Sequence, residues 1–258
     1  MKTKVLFLAL CIFCGAITAN AQLTTGKPTA KVIRTGNRAK AGNFGLYVGV
    51  TSDMFSNMID SEVGIKALPL INFKYMSTDN FELRVGLEGY QLNEKIKGDT
   101  AGDNAVSKSS KFYENSLMLY PGIAYHFSNL NILDVYVGAE LPLGWDSYTR
   151  ATVNDTYSNT RTKRAFVLGL GAFVGLQAYI ADLPLAVGVE YGISSRLDAG
   201  LKYKNVTVSD NTTTTTYTSN YNDLPNVAGY NSDSYSKLAA RKGEIGGQIR
   251  VTLSYYFK

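Results

Sequence analysis

The chain has 258 residues, of which 45% are hydrophobic, and a formal net charge of +5 at pH 7. That length suits one or two domains, and the mild, scattered positive charge argues against a nucleic-acid partner. Both cysteines, Cys11 and Cys14, lie within the first 21 residues. The remainder of the chain therefore has no disulfide, thiolate metal site or cysteine nucleophile.

The first 21 residues have the organisation of a secretory signal peptide. Two lysines precede an apolar stretch, 5–16, that is too short to span a bilayer as a helix. Ala19-Asn20-Ala21 supplies the small residues that signal peptidase requires, so we expect cleavage after Ala21. A lipoprotein signal at Cys11 or Cys14 is the weaker alternative, because large residues precede both cysteines.

From Phe44 onward, apolar and polar residues alternate with the period of a β-strand, and this pattern recurs eight times. Within each segment the apolar residues form one face, which we expect to point outward. The smaller or polar residues form the other face and are predicted to point inward. The eight predicted strands cover 44–51, 71–75, 81–88, 113–127, 133–143, 166–180, 185–193 and 244–257.

Alternation alone also fits a soluble sandwich, so the connections between the strands carry weight. The segments run about ten residues, the length of a tilted strand that crosses a bilayer. Short and long connections alternate, as expected for short periplasmic turns and long extracellular loops. The short connections lie near 77–80, 128–132 and 181–184, and the long ones near 52–64, 92–111, 145–164 and 195–242.

The apolar faces end in aromatic residues, which is typical of the two interfaces of a membrane barrel. On the turn side these are Tyr75, Phe81, Tyr125, Phe127, Tyr255 and Phe257, and on the loop side Trp145 and Phe166. Because a strand edge in lipid cannot leave its backbone unpaired, the sheet must close. With both termini in the periplasm the strand count is even. The sequence therefore predicts an all-β, eight-stranded antiparallel transmembrane β-barrel over 43–258, preceded by a flexible periplasmic lead-in over 22–42.

The segment 197–240 leaves an alternative open. It contains 201–208 and a run of threonines at 212–216, which together form either a protruding hairpin that extends the seventh and eighth strands or a ninth and tenth barrel strand. Neither arm has a continuous apolar face. The sequence therefore favours the protrusion.

Over 42–258 the chain resembles the small OmpA-type outer-membrane barrels, and most closely the "outer membrane protein beta-barrel" families of Bacteroides-like bacteria. The resemblance is carried by Tyr120-Pro121-Gly122-Ile123-Ala124-Tyr125-His126-Phe127, by Leu133-Asp134-Val135-Tyr136-Val137-Gly138-Ala139-Glu140 and by the aromatic end Tyr255-Tyr256-Phe257. It implies the barrel fold and export to the outer membrane. It implies little about a ligand.

Inward-facing polar residues form the candidate site. We expect them either to pair as a plug, because eight-stranded barrels have interiors just filled by side chains, or to line a selective path for solutes. The plug is favoured. These residues are Glu82, Arg84, Glu88, Glu140, Gln177, Glu190, Gln248 and Arg250.

A rival enzymatic interpretation rests on His126, Ser128 and Asn129 with Glu140, which resembles the motif of the lipid A 3-O-deacylases, also outer-membrane barrels. A histidine, a serine and an orienting acid can perform ester hydrolysis. The placement argues against it. His126 closes the fourth strand on the turn side, and Glu140 lies about 18–20 Å farther up the fifth strand. The favoured interpretation is an interfacial histidine next to a turn.

The sequence thus predicts a non-enzymatic outer-membrane barrel with a structural or surface-interaction role and no cofactor. The alternatives are a narrow channel or carrier for small apolar molecules, and a lipid A-modifying enzyme. Expected partners are outer-membrane lipid, lipopolysaccharide and the barrel assembly machinery, with a monomeric chain and no nucleic acid. Weaker patterns in the loops are an O-glycosylation signal at Thr100 and a Ca²⁺ site at Asp99 and Asp103.

Overall fold

The computed structural model describes residues 38–52, 54, 70–101, 105–127, 132–180, 183–200, 202–209, 212–219, 235–239 and 241–257. The predicted signal peptide and most of the predicted lead-in lie outside this part of the chain. The described secondary structure consists of β1 (Phe44–Thr51), β2 (Leu70–Met76), β3 (Phe81–Asp99), β4 (Ser107–His126), β5 (Leu133–Glu140), β6 (Leu143–Val153), β7 (Tyr157–Tyr179), β8 (Leu185–Ala199), β9 (Lys202–Ser209), β10 (Thr212–Ser219) and β11 (Arg241–Phe257).

Eight strand positions close into an antiparallel ring. Each of β1, β2, β3 and β4 pairs with the next, β5 and β6 together fill the fifth position, and β7 and β8 follow. The ring closes because β11 pairs with β8 on one side and with β1 on the other. The predicted antiparallel arrangement of eight strands is confirmed.

The fifth position is divided between β5 and β6 by Leu141-Pro142. A proline has no backbone N–H, so the ladder is interrupted there. The backbone stays in register nevertheless: Leu141 N–H donates to the Pro121 carbonyl at 2.8 Å, and Gly169 N–H donates to the Pro142 carbonyl at 2.7 Å. The predicted strand 133–143 is thus one continuous position that extends to Val153.

The long loops predicted at 92–111 and 145–164 are mostly strand, and this part of the prediction is wrong. β3 and β4 stay paired as far as Asp99 and Ser107, and β6 and β7 stay paired as far as Val153 and Ser158. The reason is that backbone pairing does not need an apolar face. Where the residues on both faces are mostly polar the alternation fades, but the ladder continues.

The segment 197–240 contains a hairpin outside the ring. β9 continues the line of β8 along β7, and β10 pairs only with β9 among the described strands. Phe166 faces Ala199 in the first ladder and Lys163 faces Tyr203 in the second, so one extra residue is inserted between them. Gly200 lies at this bulge with φ 90°, a conformation that glycine adopts without strain. The favoured protruding hairpin is therefore present.

Side chains in the ring alternate between two environments. Between Phe81 and Leu87 on β3, and between Leu185 and Tyr191 on β8, every second residue is buried and the intervening leucines and valines are exposed. The core therefore lies inside the ring of strands, where the aromatic side chains of Tyr136 and Phe173 pack at a centroid distance of 6.3 Å. No helix in the described ranges is long and apolar enough to cross a membrane.

Candidate functional site

All eight residues of the predicted polar cluster lie on the inward faces of the ring strands. Six of them are buried and two, Glu88 and Gln248, are half-buried. The period of two places them there, because each alternates with an outward apolar neighbour. The structure thus brings them to one interior, where the cluster divides into connected groups.

Arg84 is the centre of the first group. Its Nε and Nη2 both lie 2.9 Å from Glu82 Oε1, and its Nη1 lies 2.8 Å from Glu190 Oε1. The guanidinium also stacks 4.3 Å from the centroid of the Phe173 ring. Glu190 Oε1 additionally accepts the Tyr136 hydroxyl at 2.9 Å. A fully buried arginine is thereby paired on two sides, as a buried charge requires.

Arg250 forms the second group. Its guanidinium contacts the Glu140 carboxylate through Nη1 at 2.8 Å and Nη2 at 2.5 Å, the two-pronged geometry that arginine favours. Gln248 accepts from Arg250 Nε at 2.9 Å. Glu190 faces Arg250 across β8 and β11, so strand adjacency and the period of two alone predict Glu190 as its partner, but its Oε2 lies farther away, at 3.8 Å. That prediction is wrong: Glu140 holds Arg250, and Glu190 Oε1 is contacted by Arg84 and Tyr136.

The third group surrounds His126, and it corrects the placement of this residue at an interface. His126 is only 1% exposed and lies inside the ring. Its Nδ1 is 2.6 Å from Asp134 Oδ2, and its Nε2 is 3.4 Å from Glu82 Oε2. The imidazole nitrogens therefore contact Asp134 and Glu82. Glu140, the acid of the hypothetical hydrolytic motif, is instead held by Arg250. Ser128 and Asn129, the other members of the hypothetical hydrolytic motif, lie outside the described residues.

Asp134 ties the third group together, and Gln177 is brought in here. Gln177 Nε2 donates to Asp134 Oδ2 at 2.8 Å, and Arg38 Nη2 lies 2.8 Å from Asp134 Oδ1. Lys74 Nζ lies 3.4 Å from Glu82 Oε2 and 3.3 Å from the Tyr256 hydroxyl. The third group is thus a continuous chain of polar side chains inside the ring.

Sequence reasoning missed Arg38, Lys74 and Asp134 as members of the cluster. The signal for two of them was present, because Lys74 and Asp134 stand at inward positions between outward apolar residues. Arg38 precedes the first strand, where no periodicity applies. The positive and negative charges of these buried groups balance. We call them the interior network, which consists of the cations Arg38, Lys74, Arg84 and Arg250 and the anions Glu82, Asp134, Glu140 and Glu190.

This arrangement can close the interior and fix the register of the strands. Tyr47, Tyr136 and Arg84 are among the largest fully buried side chains, and all three lie inside the ring. Glu88, at the edge of the network, accepts the Tyr120 hydroxyl at 2.8 Å. Within the described residues, His, Cys, Asp and Glu side chains form no group that could hold a metal ion.

Comparisons with known proteins give only distant likenesses. No family model and no curated protein matches the sequence. Among solved structures, a major outer membrane protein from Thermus thermophilus is similar with 14% identity and a TM-score of 0.40, covering 84% of this chain and 100% of its own. The outer membrane protein OprG from Pseudomonas aeruginosa is similar with 13% identity and a TM-score of 0.30, covering 87% and 99%. At these TM-scores the function of this chain must be decided from its own residues.

Proposed function

We propose that this chain is an outer-membrane β-barrel with a structural or surface-interaction role. The single observation that carries the proposal is the outward surface of the ring. From Phe166 to Ala178 on β7, and from Leu185 to Ala199 on β8, no outward side chain is charged. A soluble protein rarely exposes a continuous apolar patch of this size, whereas lipid requires one.

The one serine on these two outward faces supports the same view. Ser195 Oγ donates to the Leu170 carbonyl at 3.1 Å, so its hydrogen-bonding capacity is directed into the ladder. Hydrocarbon offers no partner to a polar group, and an internal hydrogen bond offsets the resulting penalty. A serine facing water would need no such bond.

The outward apolar surface of the ring, which we call the apolar belt, ends in aromatic residues on the turn side. Phe44 packs on Tyr75 at a centroid distance of 5.0 Å and on Phe257 at 6.3 Å, and Tyr125 packs on Phe127 at 5.5 Å. At the other end, Trp145 and Phe166 are directly opposed across β6 and β7. Aromatic rings at two levels of a strand ring are typical of membrane–water interfaces.

Outward charges on the strands lie beyond this belt, and they are mostly positive. Cross-strand pairing assigns each residue to a face, and Asp99 is the only outward acid among the described strand residues. We infer that these cations meet lipopolysaccharide phosphates and that the long hairpins are extracellular, with the termini in the periplasm. The outward cations are Lys95, Lys97, Lys111, Arg164, Lys202, Lys204 and Arg241.

The packed interior favours a plug over a channel. The buried tyrosines and the interior network occupy the centre of the ring, and an eight-stranded ring has little more room than its own side chains need. We expect no stable conductance from the folded chain in planar bilayers. Discrete, reproducible channel openings would instead support the narrow-channel alternative.

The apolar belt is tested by Val174→Arg, at the middle of the outward face of β7. In a bilayer this change should lower the free energy of unfolding by about 2–4 kcal/mol, because a charge at the midplane loses its hydration. The matched control is Thr162→Arg, on the same face of the same strand beyond Phe166. It should change little. Urea titration in lipid vesicles measures both, and equal, small effects would contradict the membrane assignment.

The orientation is tested separately by surface proteolysis of intact cells. Protease should cut within 198–238 and spare 128–132. Cleavage at 128–132 with protection of 198–238 would reverse the topology while leaving the barrel itself in place.

A further inference from the structure

The hairpins beyond the ring carry a group of cations on the face that continues its interior side. Arg150 on β6 stands directly opposite Arg161 on β7, and Lys163 lies two residues from Arg161 on the same face. Directly opposed residues of antiparallel strands have Cβ atoms about 4.5–5.5 Å apart, and like charges in that position are destabilising. Such an arrangement calls for a counter-charge.

The protein itself does not supply that counter-charge within the described residues. No described carboxylate lies within 4.0 Å of Arg150, Arg161 or Lys163. Of the acids on this face, Asp146 lies on β6 itself and is paired with Arg196, Glu114 lies on the neighbouring strand β4 opposite Tyr148, and Glu94 lies two strands away from Arg150 on β3. By contrast, every cation of the interior network has a carboxylate within 3.4 Å. The three cations differ in this respect from those of the interior network.

Aromatic side chains hold the Arg161 guanidinium in place. Its guanidinium carbon lies 4.1 Å from the centroid of Tyr203, a 5% exposed ring that also lies 5.5 Å from Lys163 Nζ. Tyr148 packs edge-on against Tyr203 at 5.6 Å and against Phe112 at 5.2 Å. Arg161 Nε is shielded from solvent and has no hydrogen-bond partner among the described residues. The packed aromatic side chains therefore orient the Arg161 guanidinium, which keeps an N–H donor that no described residue accepts from.

From this geometry we propose that Arg150, Arg161 and Lys163 form a binding site for a multivalent oxyanion, of the chemistry of a phosphate or pyrophosphate group. Two guanidinium forks can each donate two hydrogen bonds to such a group, and the lysine adds a point charge. The bound anion removes the Arg150–Arg161 repulsion. The site opens on the face opposite the lipid-facing cations, so the phosphate of a water-borne ester is the natural occupant.

The test is calorimetric titration of inorganic pyrophosphate into the folded full-length chain in non-ionic detergent. We expect saturable binding that Arg161→Gln and Arg150→Gln each weaken about tenfold or more, since charge-assisted hydrogen bonds are lost. The matched control is Arg164→Gln, on the same strand but the opposite face, which should leave the affinity within about twofold. Arg150→Glu should abolish binding, because the new carboxylate pairs with Arg161.

Heat-modified mobility on gels confirms that each variant is folded before titration. Added lipopolysaccharide distinguishes the source of the phosphate: competition in the parent that is lost in Arg161→Gln identifies a lipid headgroup, and no competition identifies a soluble ester. Either result supports the site. Absence of saturable binding, or equal loss in Arg164→Gln, overturns it. The titration uses no bilayer, so it and the Val174→Arg test can fail independently.

Discussion

Reversal of the Arg250 charge is the most informative perturbation of the interior network. Arg250 and Glu140 are buried, with side-chain exposures of 7% and 4%, and they share two short contacts. Removal of one partner from such a pair leaves an uncompensated charge and costs about 3–5 kcal/mol. Arg250→Glu also places a third carboxylate beside Glu140 and Glu190. We therefore expect a loss at or above the upper end of that range.

Urea titration in lipid vesicles and resistance of the folded band on unboiled gels measure this loss. Arg241→Glu is the matched control, because it lies on the same strand at an exposed outward position and should shift stability by no more than about 0.5 kcal/mol. We also expect Arg250→Glu to conduct more than the parent in planar bilayers, since repulsion loosens the packed interior.

The swapped double variant Glu140→Arg/Arg250→Glu separates pairing from simple damage. It restores an ion pair at the same place in the ring, so it should recover a substantial part of the stability lost in Arg250→Glu. Equal stability of Arg250→Glu and Arg241→Glu would refute the importance of the pair. No recovery in the double variant would show that register or packing, and not charge, governs the loss.

Two further predictions concern the interior. Gly138→Ala should destabilise the ring by about 1–3 kcal/mol through overpacking, because an added Cβ would lie 2.2 Å from Phe173 Cζ, whereas Gly98→Ala, with open space around it, should be neutral in the same urea titration. His126→Ala should leave lipid A acylation unchanged in mass spectra of a complemented deletion strain. We also expect it to lower the stability of the ring, because His126 contacts buried carboxylates. A changed number of acyl chains would revive the deacylase hypothesis.

The sequence predicted the eight ring strands and the face of each residue, because a strand buried on one side has a period of two and every residue obeys it. The same rule located Glu82, Arg84 and Glu190 in the interior without any coordinates. The rule failed where neither face is apolar. Beyond the belt the residues on both faces are mostly polar, so the paired hairpins of β3 with β4 and of β6 with β7 had the composition of loops.

Only the tertiary structure decided the partners. Arg250 and Glu190 are cross-strand neighbours, yet Arg250 reaches Glu140 because Arg84 and Tyr136 already satisfy Glu190. Parity fixes which side of the sheet a side chain takes, but ring closure brings distant strands together and long side chains cross the interior. The sequence by itself determined the eight ring positions and their two faces, and the competition among buried charges inside the closed ring determined which side chains pair.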